Sequence, residues 1–109
     1  MNKTLRVLIV EGSEADATLL LNTLSRGGYE VIHAIVDTPT AMRAALESQD
    51  WDIIMFEHPM PQFSAPVALA LAKELRPNVP FIIVSGEIDF NLVVSMMQGG
   101  ARDYIQKGS

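Results

Sequence analysis

Four short apolar runs each deliver one polar side chain at their downstream end. Leu5 to Val10 leads into Glu11, Asp52 to Phe56 into Glu57, Phe81 to Val84 into Ser85, and Asp103 to Gln106 into Lys107. Two carboxylates, a hydroxyl and an ammonium at one place form a small acidic pocket with a cation facing it. Runs such as VLIV and FIIV are apolar without alternation, which reads as strands buried on both faces, and such strands belong to parallel sheets covered by helices. Chemistry in an open parallel sheet gathers at the carboxyl ends of the strands. The spacing therefore points to one site built from four strand ends.

Between the runs lie helical patterns that would hold those strands in place. After Ser13, with Asp16 three residues on as a capping partner, Ala17, Leu20, Leu21 and Leu24 recur at helical spacing until Gly27 and Gly28 end the run. A second strand, Glu30 to Val36, leads to Thr38 as N-cap and Pro39 at the first helical position. Met42, Ala45 and Leu46 are the buried stripe of that helix, which ends near Gln49. His58 to Ser64 is a Pro-broken loop. A third helix carrying Ala68, Leu71, Ala72 and Leu75 stops at Arg76 and Pro77. The fourth strand is Pro80 to Ser85. The fourth helix, with Val93, Met96 and Met97, ends at Gly99 and Gly100, and Arg102 to Gln106 forms a short fifth strand. The pattern is one βαβαβαβαβ unit with right-handed crossovers and helices on both faces. No helix follows the fifth strand, which leaves apolar surface uncovered and predicts association, a homodimer being one form of it.

Composition bounds the reading further. With 109 residues the chain supports one core, so residues 1–109 are expected to form a single domain. A net charge of -5 with scattered Lys and Arg argues against nucleic acid as a direct partner. Without cysteine there is no disulfide framework or thiolate metal site. No apolar stretch reaches the length of a membrane span, and MNKTLRVLIVEG has no small-residue cleavage site, so the expected location is cytoplasmic.

Four ordered blocks, VLIVEGSEAD, WDIIMFEHPMP, FIIVSGEID and GARDYIQKGS, carry a family resemblance. Together they resemble the CheY-like receiver domains of two-component response regulators, over essentially the whole chain apart from the final helix. The resemblance implies a flavodoxin-like parallel five-stranded sheet in the order 2-1-3-4-5. It also implies a phosphorelay role, in which a histidine kinase passes a phosphoryl group to an aspartate at the end of the third strand. Mg²⁺ held by that aspartate and an acidic pair after the first strand assists the transfer. Glu57 stands at the acceptor position, and Glu11 and Gly12 at the acidic pair. Ser85 matches the switch hydroxyl, Tyr104 the aromatic that rotates with it, and Lys107 the lysine of the site.

The departures have physical consequences. Glu in place of Asp moves the carboxylate outward by about 1.5 Å, and a misplacement of that size costs on the order of a hundredfold in rate. Gly12 removes a metal ligand, leaving Glu11, Glu57 and the Pro59 carbonyl for a cation that demands near-octahedral oxygen geometry. Since phosphoryl transfer depends on positioning and charge neutralisation, both changes predict weak or absent acceptor activity and weakened Mg²⁺ binding. The longer Glu57 side chain could instead reach Lys107 or Ser85 and imitate a phosphorylated aspartate. Gly108 stands where the family has a proline, which predicts a differently set loop after Lys107.

The remaining candidates have structural readings. His58 reads as a solvated loop residue and His33 as a structural residue of the second strand. Of Met96 and Met97, one is expected in the core and one on the surface. Two other functional classes stay open on this architecture: a Mg²⁺-dependent phosphoryl-transfer or hydrolase-like enzyme, and a mononucleotide-binding flavodoxin-like module. Against the first stands the lack of a general base and of a substrate pocket from longer loops. Against the second stand Glu11, Glu14 and Asp16, which repel a phosphate at the first loop. The expected function is thus a non-enzymatic signalling domain acting through protein contacts with a histidine kinase or a downstream signalling domain.

Overall fold

A computed structural model describes residues 3–108. Its elements run β1 (Lys3–Val10), α1 (Glu14–Arg26), β2 (Tyr29–Val36), α2 (Pro39–Ser48), β3 (Ile53–His58), α3 (Ala65–Leu75), β4 (Phe81–Ser85), α4 (Phe90–Gln98) and β5 (Asp103–Gln106). The five strands form one parallel sheet in the order β2-β1-β3-β4-β5. This is the flavodoxin-like order expected from the sequence blocks, and no fifth helix occurs among the described residues.

Side-chain oxygens cap all four helices, because the first turn of a helix leaves backbone N–H groups without partners. Ser13 accepts from the Asp16 N–H, Thr38 from Ala41, Ser64 from Val67 and Asp89 from Leu92. Pro39 opens α2, where its missing N–H costs nothing. After α1 the chain turns at Gly28, whose φ of 95° lies in the region that favours glycine.

Three helices cover one sheet face and one covers the other. Met42 and Leu46 of α2, Ala68, Leu69 and Ala72 of α3 and Met96 of α4 pack with Leu8, Ile54, Phe56, Phe81 and Ile83. On the opposite face Ala17, Leu20, Leu21 and Leu24 of α1 meet Val7, Ile9, Met55 and Val84. Beside this smaller cluster Leu19 and Ile105 are exposed and line a cleft with Leu20 and Val84.

The structure refines several boundaries. β3 continues through Glu57 to His58, so His58 is a half-buried strand residue and not part of a loop. His33 is exposed, because β2 lies at the sheet edge and its residues are more open than those of β1, β3 and β4. Met96 is the core methionine at 1% exposure and Met97 the surface one at 43%. Among the described residues no helix is long and apolar enough to cross a membrane.

Candidate functional site

Register sets the depth of each candidate. Val10 pairs with Phe56, so the next residues, Glu11 and Glu57, leave β1 and continue β3 at one level. Glu57 is opposite Val84 and His58 opposite Ser85, which puts Ser85 one residue further along than Glu57. Backbone bonds extend this order past the strand ends: the Glu11 N–H donates to Val36 O at 2.9 Å, and the Lys107 N–H to Ser85 O at 2.6 Å.

Strand alternation then sorts the side chains between the two faces. Glu11 follows the parity of Val7 and Ile9, and Glu57 that of Met55, all on the α1 face. Ser85 shares the parity of Phe81 and Ile83 on the other face, and Tyr104 packs against that same cluster. The two carboxylates are therefore separated from Ser85 and Tyr104 by the sheet pleat.

Each group finds partners on its own side. Lys107 Nζ bonds to Glu57 Oε1 and lies 3.8 Å from Asp16 Oδ2. Ser85, fully buried, donates from Oγ to the Glu87 carbonyl at 2.6 Å, and its Oγ accepts from the Glu87 N–H at 3.3 Å. The Tyr104 hydroxyl donates to the same carbonyl at 3.4 Å. Of the two contacts expected for Glu57, the one with Lys107 is formed, and the Ser85 hydroxyl is occupied by Glu87 instead.

Glu11 and Glu57 are 7% and 6% exposed, and one oxygen of each, Oε2, is buried with no hydrogen-bond partner among the described residues. Glu11 Oε1 accepts from the Ser13 N–H at 2.9 Å. Burial pushes the Glu11 carboxyl above the ordinary Glu range; the Ser13 N–H opposes that shift and the neighbouring Asp16 charge adds to it. Glu11, Asp16 and Glu57 each offer an oxygen, all within 4.8 Å of one another. The cleft holding them has a volume of about 430 Å³ and is also lined by Gly12, Pro59 and Lys107.

Asp16, which the sequence presents as a capping partner and as a charge that repels phosphate at the first loop, joins this cluster as a candidate oxygen ligand. The available signal was its place in the first turn of a helix that starts just after Glu11. The common role of the Glu87 carbonyl, which draws Ser85 and Tyr104 together, had no signal in side-chain type. The described residues contain one cis peptide bond, His58–Pro59, so the link from Lys107 to Gly108 is trans.

The family model for the response regulator receiver domain matches residues 7–109. This chain belongs to that family. The receiver domain is 28% identical over 101 residues to the DNA-binding transcriptional regulator NtrC of Rhizobium meliloti, a match covering 93% of this chain and 20% of that protein. It thus spans about a fifth of the length of the NtrC relatives it matches. The chemotaxis protein CheY of Thermotoga maritima is 26% identical over 102 residues, covering 94% of this chain and 84% of CheY.

Solved structures give the same fold. The CheY-like receiver domain of Methanospirillum hungatei JF-1 superposes with a TM-score of 0.82 at 28% identity, covering 98% of this chain and 84% of that one. The receiver domain of a sensor histidine kinase from Pseudomonas aeruginosa PAO1 has a magnesium ion coordinated in its active-site cleft. It superposes with a TM-score of 0.78 at 21% identity, covering 97% and 87% of the two chains. The function class is two-component signal transduction, and the relatives are regulators.

Proposed function

We propose that residues 1–109 form a single receiver domain that signals through protein contacts without depending on phosphorylation of residue 57. The observation that carries this reading is the ion pair between Glu57 and Lys107. Glu57 stands at the acceptor position, and its longer side chain already holds the lysine that would otherwise meet a phosphoryl group. Its extra methylene shifts the attacking oxygen by about 1.5 Å, against a reaction that depends on in-line positioning.

The partners are a histidine kinase or a downstream signalling domain, met in the cytoplasm, and the domain is not itself an enzyme. Ser85 and Tyr104 are its switch residues. With both turned to the Glu87 carbonyl, the Glu57–Lys107 contact supplies the charge pairing of a phosphorylated site but not its hydroxyl contact. The receiver domain from Pseudomonas aeruginosa holds magnesium in its cleft. The buried, unpartnered oxygens of Glu11 and Glu57 fit a hard cation here as well. Glu11, Glu57 and the Pro59 carbonyl would hold it. Once bound, it supplies charge neutralisation at the carboxylates.

Intact mass tests the reading, after incubation of the natural chain and the Glu57→Asp variant with Mg²⁺ and acetyl phosphate. The expected result is no added phosphoryl group on the natural chain. An adduct removed by hydroxylamine would be an acyl phosphate on Glu57, formed with release of acetate, and would return the domain to ordinary phosphorelay.

A further inference from the structure

We propose that a divalent cation is held by a three-carboxylate set of Glu11, Asp16 and Glu57. In that set Asp16, from the first turn of α1, takes the ligand place that Gly12 leaves open. The proposal rests on the receiver reading of the cleft and names a ligand which the family pattern, an acidic pair directly after the first strand, does not contain.

Two independent observations converge on it. The three side chains offer oxygens within 4.8 Å of one another, although they come from β1's end, α1 and β3. Separately, Glu11 Oε2 and Glu57 Oε2 are buried with no partner in residues more than nine-tenths buried, and both residues line the cleft that Asp16 also lines. An unpaired buried carboxylate oxygen is expensive, and a cation bound to both relieves two such costs at once.

Charge and packing agree with that assignment. Three carboxyl groups, Glu11, Asp16 and Glu57, line this cleft together with one lysine, Lys107, so acidic groups outnumber basic ones there as a cation site requires. Lys107 occupies Oε1 of Glu57 and leaves Oε2 for the ion, so the two cations do not compete for one oxygen. At 3.8 Å the approach of Lys107 to Asp16 is longer than a hydrogen bond, so the Asp16 carboxylate, which already lines the cleft, is not tied up by the lysine. The Asp16 N–H donates to Ser13 Oγ at 3.3 Å, which fixes its backbone in the first turn of α1. A Cβ built on Gly12 meets nothing within 4 Å, so that side has room for the water ligands a hard cation keeps.

Mn²⁺ alone, titrated into the full chain and followed by the electron paramagnetic resonance of the free ion, tests this. Saturable binding to one site is expected, weakened at least tenfold by Asp16→Asn. Glu14→Gln, which removes a neighbouring exposed carboxylate from the same turn, is expected to change affinity less than twofold. Gly12→Asp added to Asp16→Asn is expected to recover the loss. Unchanged affinity in Asp16→Asn, equal losses in Asp16→Asn and Glu14→Gln, or no saturable binding to the natural chain would each overturn the proposal. Circular dichroism on each variant reports that the fold is retained. Intact mass with acetyl phosphate separates the two readings: an unmodified mass with no Mn²⁺ binding removes only the cation site. A phosphorylated mass with Asp16-dependent binding removes only the phosphorylation-independent function.

Discussion

Lys107 and Glu57, fifty residues apart in sequence, are joined through Nζ and Oε1, while the other oxygen of Glu57 has no partner. The sheet makes the contact, since β4 separates β3 from β5 and the lysine, one residue past β5, reaches across the end of β4 to the carboxylate. The pair is asymmetric: Glu57 is buried, whereas the Lys107 side chain is 35% exposed. Losing the lysine strands a buried charge, whereas losing the carboxylate leaves an ammonium that water can reach. Lys107→Met is expected to cost about 1–2 kcal/mol, below the range of a fully buried pair because of that exposure. Glu57→Gln is expected to cost less, and the double variant to recover most of the Lys107→Met loss. Urea unfolding midpoints of the four proteins check the cycle; equal losses in both single variants would contradict it.

Glu11 gives the domain a pH dependence of opposite sign to that of a salt-bridged carboxylate. Its folded pKa lies above the ordinary value of 4.5, so between the two values the folded chain binds more protons than the unfolded one. The contribution of Glu11 to stability therefore falls as pH rises through that window, and the full deficit is present above it. In chelator, Glu11→Gln is expected to be more stable than the natural chain at pH 7, with the advantage vanishing below about pH 4. Thermal unfolding at both pH values is the measurement. A variant less stable than the natural chain at pH 7 would contradict burial as the dominant influence on this carboxyl.

Arg76, just past α3, closes the carboxyl end of α2, which has no basic residue in its last turn. Its Nε donates to Leu46 O at 2.8 Å and its Nη2 to Gln49 O at 3.1 Å, so one guanidinium fork satisfies two carbonyls near that end. Arg76→Met is expected to destabilise by about 2 kcal/mol. Asp50, which also contacts Arg76, is almost fully exposed, and Asp50→Asn is expected to shift stability by less than about 0.5 kcal/mol. Denaturant titrations of the two variants separate the carbonyl bonds from the surface ion pair.

Met96 and Met97 are adjacent but energetically unlike. Met96 packs into the larger core against the α3 side, and truncating it to Ala is expected to cost about 2–4 kcal/mol through lost burial and a residual cavity. Met97→Ala is expected to stay within about 0.5 kcal/mol. Similar losses in both would mean that the exposed face of α4 is covered in solution, which sedimentation would then show as a dimer.

The element pattern was legible because it is local. Unbroken runs such as VLIV and FIIV, the capping residues Ser13 and Thr38, Pro39 and the paired glycines act within a few residues of themselves, so the sequence states them directly. Boundaries slipped where pairing with a neighbour extends a strand, as in β3, whose Glu57 and His58 are held in register by Val84 and Ser85. His33 lies on β2 as its sequence context indicates, and its exposure follows from the place of that strand at the sheet edge, which no local signal states.

Sequence alone determined the order of the blocks, the parallel α/β class and the gathering of Glu11, Glu57, Ser85 and Lys107 at the strand ends, because residue type and period encode them. Which of these groups meet was decided only by the tertiary structure. Register brought Glu11 level with Glu57, and the pleat sent Ser85 and Tyr104 to the opposite face, where the Glu87 carbonyl takes both hydroxyls. The first turn of α1 carried Asp16 over the carboxylates. Those distances depend on how separate elements pack, and no local signal in the chain fixes them.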